Sequence, residues 1–214
     1  MNQIKSIIFD CDGVLVDTES ISNQVKIDMA RELGADITMN EAMQLFTGYS
    51  TQSCFQIIES RLKKALPPTF EREYRERSYM AFQTQLQPID GVVEFINSLS
   101  IPYCVASSGP PEKISLTLTA VGLIDKFRNR IFSSYQINSW KPEPDLFLYA
   151  AKEMGFDINS TVVIEDSKAG VTAAIRGGFR VFCIENNYHS DDLQAEGAII
   201  VKNLKEIESY LTSI

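Results

Sequence analysis

Asp10 and Asp12 are separated by one residue and directly follow a short apolar run, residues 4–9. Two more apolar runs end in the same way. Residues 101–106 lead into Ser107-Ser108-Gly109, and residues 161–164 into Glu165-Asp166-Ser167. Lys141 stands before Pro142 in the stiff segment Trp140-Lys141-Pro142-Glu143-Pro144. Carboxylates can serve as nucleophiles, as general acids and bases, or as ligands for a hard cation. Four of them brought together would repel one another and resist ionisation unless neutralised. A divalent cation with oxygen ligands removes that conflict, and Mg2+ suits a shell of carboxylates and water.

Taken singly, each of these residues has an ordinary structural use. Asp-x-Asp-Gly can form a turn, Ser107 can open a helix, and Glu165-Asp166-Ser167 can cap one with favourable charge. A lone lysine before a proline can be a solvated surface residue. The elements in front of them argue for more. Residues 4–9, 101–106, 161–164, 179–184 and 198–201 are short runs rich in Val, Ile and Phe, as strands buried on both faces are. Between them, residues 92–99, 113–121, 145–154, 168–176 and 204–211 carry apolar groups at helical spacing. Alternating strands and helices predict a parallel sheet covered on both sides. All carboxyl ends of such a sheet share one edge, so Asp10, Asp12, Ser107, Glu165 and Asp166 should converge there. Residues 20–85 break the rhythm with four helical patterns, at 21–33, 40–46, 51–66 and 70–85, and no strand. An all-helical insertion after the first strand is expected to lie over the carboxyl ends, where open α/β sheets bind ligands.

The segment Phe9-Asp10-Cys11-Asp12-Gly13-Val14-Leu15-Val16-Asp17-Thr18-Glu19 resembles the first motif of the haloacid dehalogenase superfamily. Ala106-Ser107-Ser108-Gly109, Lys141-Pro142 and Ile164-Glu165-Asp166-Ser167 resemble its second, third and fourth motifs, in the family's order. The likeness spans nearly the whole chain. It implies a Rossmann-like α/β core of residues 1–16 and 87–214, with a small helical cap of residues 17–86, near the β-phosphoglucomutase-like phosphatases. It also implies roles. Asp10 would attack phosphorus to give an aspartyl-phosphate, and Asp12 would protonate the leaving alcohol and later activate water. One Mg2+ would be held by Asp10, the backbone carbonyl of Asp12 and Asp166, with Glu165 acting through water. Ser107, Ser108, Gly109 and Lys141 would hold the phosphoryl group. In the cap, Gly48 and Tyr49 would belong to a substrate-contacting loop, and Glu19 would either face the site or start a helix.

Within that superfamily Asp12 argues for phosphoryl chemistry, because the dehalogenases lack the second aspartate. A sugar-phosphate mutase of the β-phosphoglucomutase type is the alternative reading. In that group a histidine follows the first motif and an arginine follows the cap glycine. Here the stretches read Glu19-Ser20-Ile21-Ser22 and Gly48-Tyr49-Ser50-Thr51, with neither. Hydrolysis of a small phosphomonoester, such as a sugar phosphate, is therefore expected. A catalytically silent binder of phosphorylated metabolites is a third reading.

Composition narrows the partners. The 214 residues carry a formal charge of −8, the wrong sign for a nucleic-acid-coating protein. No apolar run approaches the ~18 residues that span a bilayer. Four scattered cysteines without a CxxC pair read as reduced core thiols of a cytoplasmic protein, not a zinc site. The only histidine, His189, lies in a polar stretch and receives no catalytic role. With no exposed apolar stripe evident, a monomer is expected.

Overall fold

In the computed structural model the described residues are 3–46, 50–185, 194 and 196–212. Gly48, Tyr49 and His189 lie outside them. The chain divides into two compact units, Met1–Val16 with Gln87–Ile214, and Asp17–Leu86.

The first unit is built on six parallel strands: β1 (Ser6–Phe9), β2 (Tyr103–Ser107), β3 (Ile131–Ser133), β4 (Thr161–Glu165), β5 (Arg180–Ile184) and β6 (Ile199–Val201). Their spatial order is β3-β2-β1-β4-β5-β6. Every residue of β1, β2 and β4 is buried, as strands apolar through their middles and polar only at their ends allow. Helices α5 (Val92–Ser98), α6 (Pro111–Ala120), α7 (Ser134–Ile137), α8 (Asp145–Met154), α9 (Lys168–Arg176) and α10 (Leu204–Thr212) complete the unit. On one side, Phe147, Ala150, Val171 and Ala174 pack with Ile8, Val163 and Val181. Phe9 packs with other partners, meeting Phe95, Tyr103 and Phe127 edge to face with ring centroids 6.0–6.1 Å apart.

The second unit contains α1 (Thr18–Glu32), α2 (Met39–Phe46), α3 (Thr51–Leu62) and α4 (Phe70–Gln85). Its core joins Ile27, Ala30, Ile37, Phe46, Phe55, Ile58 and Phe70. Lys26 is buried there. Its ammonium donates to Asn23 Oδ1 at 2.9 Å and lies 5.5 and 5.6 Å from the ring centroids of Phe46 and Tyr74. Two aromatic faces thus offset part of the cost of desolvating that charge.

Several element ends differ from the periodicity by one to four residues, and one strand goes beyond it. The third helix stops at Leu62, not residue 66, because Lys63 takes a left-handed conformation with φ 54°. α6 starts two residues early, at Pro111, where the missing amide hydrogen is harmless. β3 was absent from the sequence expectation, since three residues carry no readable period.

Replacing Phe9 by Ala removes three edge-to-face partners from a fully buried site. We expect a loss of about 3–5 kcal/mol of unfolding free energy, read by urea denaturation with an unchanged m value.

Candidate active site

Strand register places the polar residues. Phe9 lies opposite Val105 of β2 and Ile164 of β4, so one step further along brings Asp10 level with Ala106 and Glu165. The Asp10 amide continues the ladder by donating to Ile164 O at 2.9 Å. The strand order also reverses at β1, with β2 on one flank and β4 on the other, which makes this the switch-point edge of the sheet. Lys141 reaches the same place from the segment ahead of α8. Its Nζ donates to Asp10 Oδ1 and to Glu165 Oε1, both at 2.5 Å, and lies 4.7 Å from the Phe147 ring centroid.

Glu165 is completely buried and engages both oxygens. Oε1 takes the lysine, while Oε2 accepts from the Asp166 amide, the Ser167 amide and the Ser167 hydroxyl at 2.9–3.0 Å. Ser167 in turn caps α9 by accepting from the Gly170 amide at 3.1 Å. Two glycines make room for these carboxylates. A Cβ on Gly170 would stand 1.7 Å from Glu165 Oε1, and one on Gly13 would stand 2.0 Å from Asp166 Oδ2. Gly13 also has φ +82°, which disfavours any other residue.

One oxygen each from Asp10, Glu165 and Asp166 gathers within 4.8 Å. Burial is the first cause that pushes the Asp10 carboxyl up to about 7; Lys141 opposes the rise, and Glu165 and Asp12 add to it. Burial likewise holds Asp166 well above the usual carboxylate range, with Glu165 and Asp10 contributing. Burial works against the charge on Lys141, but Asp10 and Glu165 overcome it and raise the lysine above its ordinary value. Three carboxylates against one ammonium leave a deficit of positive charge. An all-oxygen donor set of that size and sign fits a hard divalent cation such as Mg2+, so the residues suit the metal that the family resemblance implies.

The remaining candidates are placed as follows. Ser107 is buried at the end of β2, and its Oγ accepts from the Gly109 amide at 3.1 Å, leaving the hydroxyl hydrogen to donate elsewhere. The Gly109 amide is thus turned onto Ser107 by a local turn. Ser108 is partly exposed. Ser133, at the end of β3, donates to Gly109 O at 2.6 Å and so ties that loop to the sheet. Asp12 lies beyond the strand, where Lys113 on α6 donates to both carboxylate oxygens at 2.9 and 2.8 Å. Glu19 is exposed in the first turn of α1. Cys11, between the aspartates, is buried, and its thiol is pushed well above its usual range, so sulfur does not compete as a nucleophile.

Sequence reasoning missed Lys113, Ser133 and the ring of Phe147. Lys113 did carry one signal, a cation in the first turn of a helix, where the dipole disfavours it. Ser133 carried none that could be read without knowing β3.

The model of the haloacid dehalogenase-like hydrolases matches residues 7–184. The chain is 31% identical over 183 residues to the 6-phosphogluconate phosphatase of Escherichia coli K12, covering 85% of this chain and 83% of that protein. It is 26% identical to a phosphorylated carbohydrates phosphatase of Thermotoga maritima, over 99% of this chain and 100% of that one. Among solved structures, a haloacid dehalogenase-like protein of unknown function from Agrobacterium tumefaciens superposes with a TM-score of 0.86 at 29% identity, covering 98% of both chains. With its motifs on one sheet edge and its match extending over most of its length, the chain belongs to the haloacid dehalogenase-like hydrolases.

Proposed function

We propose that this protein is a Mg2+-dependent phosphatase that hydrolyses a small phosphomonoester through a phosphoryl group carried on Asp10. The observation that carries the reading is the buried Lys141 bridge between Asp10 and Glu165, with Asp166 and Asp12 beside it. Asp10 is the nucleophile, and Lys141 favours its ionised form and holds it in place while offsetting charge on the transferring group. Ser107 donates its hydroxyl hydrogen to a phosphoryl oxygen. Asp12 gives a proton to the leaving alcohol and takes one from the attacking water. Asp10, Asp166 and the carbonyl of Asp12 would hold the metal, with Glu165 acting through water. The ion supplies positive charge against the phosphoryl oxygens, which is most of what phosphoryl transfer requires.

The names of the relatives favour a phosphorylated sugar or sugar acid as substrate. Substrate choice is assigned to the helical unit, with Glu19, Gly48 and Tyr49 as the positions to vary.

Inorganic phosphate release should depend on added Mg2+ across a panel of sugar phosphates. Asp10→Asn should lower it at least about a thousandfold, as loss of a nucleophile does. A wild-type enzyme that releases none would refute the proposal, and isomerisation of β-glucose 1-phosphate without release would establish the mutase instead. Lys141→Met should fold yet lose roughly 100-fold or more in kcat, by analogy with removal of one preorganised charge donor.

Metal binding should also show a pH signature. Asp10 has its native pKa raised to about 7, so the stability it lends the metal-free protein is full below about pH 4 and is lost as pH rises through about 7. Mg2+ requires the ionised form, so its stabilising effect should grow over the same window. Thermal midpoints with and without Mg2+ between pH 5.5 and 8 test this. An increment that shrinks with pH would show that the ion does not bind these carboxylates.

A further inference from the structure

The Lys113–Asp12 pair has a place in the chemistry that the four motifs do not supply. Lys113 is 21% exposed and Asp12 33% exposed by side chain, so the pair is partly shielded from water. Both Asp12 oxygens are engaged by the one ammonium, at 2.9 and 2.8 Å, across about a hundred residues of sequence. The lysine belongs to the first turn of α6, which begins Pro111-Glu112-Lys113, where the helix dipole works against a cation. Gly109 borders both groups: a Cβ there would stand in ordinary contact with each, 3.5 Å from Lys113 Cδ and 3.4 Å from Ser107 Oγ. One short loop therefore sets both the Ser107 hydroxyl and the lysine that grips Asp12.

We propose that Lys113 is a positioning residue for Asp12. It aims the carboxyl that passes the proton and stabilises the carboxylate that this transfer leaves behind. The inference rests on the phosphatase reading. In the first step a P–O bond forms to Asp10, the P–O bond to the alcohol breaks, and the proton of Asp12 ends on the alcohol oxygen. Asp12 is then a carboxylate beside a fixed ammonium. In the second step it takes a proton from water, the water oxygen bonds to phosphorus, and the bond to Asp10 breaks. Both steps pass through the charged form that Lys113 holds, and neither needs Lys113 to touch the substrate.

The test exploits the leaving group. An alkyl phosphate needs a proton on its departing oxygen, whereas 4-nitrophenyl phosphate does not. Lys113→Met and Lys113→Gln should lower kcat/KM for the alkyl ester about 10- to 100-fold, part of what a general acid contributes. For the nitrophenyl ester the loss should be at most a few-fold. In an Asp12→Asn background the lysine substitution should add little to the loss on the alkyl ester, as groups acting as a unit do. Equal losses on both esters would overturn the proposal and mark Lys113 as a phosphoryl-binding or purely structural residue, with a matched fall in thermal midpoint indicating the latter. No loss on either would overturn it too. Wild-type enzyme that hydrolyses neither ester would refute the phosphatase reading itself, and the inference with it.

Discussion

A single ammonium group in the sheet edge controls the electrostatics of this site. Lys141 is 6% exposed by side chain and faces the Asp10 and Glu165 carboxylates together. Without it, two buried negative charges would confront each other with Asp166 adding a third, and desolvation would drive them to take up protons. A buried ion pair of this kind is a poor device for stability, because the cost of removing charges from water is comparable to what their attraction returns. It is a good device for holding charged groups in fixed positions. The two carboxylates differ in consequence: Glu165 engages both of its oxygens with protein donors, whereas Asp10 gives Oδ1 to the lysine. One is tied into the scaffold and the other is presented at the strand end.

The rest of the α/β unit can be understood as what makes that arrangement rigid. β1 is central, flanked by β2 and β4 in matched register, so Asp10 and Glu165 stand level at one edge. Phe9 locks the strand just before Asp10 with three perpendicular aromatic contacts. β4 ends at Glu165 itself and Ser167, two residues on, caps α9, so strand and helix position the same carboxylate. Gly13 and Gly170 supply the space that these carboxylates occupy. Among the described residues, no helix is long and apolar enough to cross a membrane.

Much of this was open to inference from the chain alone. Short runs of β-branched and aromatic residues read as buried parallel strands because a strand covered on both faces has no need of polar alternation. Once parallel strands were inferred, the carboxyl-end residues Asp10, Ser107, Glu165 and Asp166 had to share an edge. The four helices of residues 17–86 were visible in apolar spacing, with errors confined to ends such as Lys63, where one left-handed residue halts a helix whose apolar pattern runs on.

Sequence by itself determined the residue types, the order of five of the six strands along the chain, and hence the motif groups at the sheet edge. These are properties of local periodicity and of the connection rules for parallel strands. Tertiary structure alone decided which group meets which. It set Lys141 between Asp10 and Glu165, turned the Gly109 amide onto Ser107, and brought Lys113 to Asp12. It also revealed β3, whose three residues are too few to show a period but whose Ser133 anchors the Gly109 loop. The physical reason is range. Periodicity reports which face of an element is apolar, whereas a hydrogen bond between residues a hundred positions apart depends on register, loop path and rotamer, none of which is written in the residues at either end.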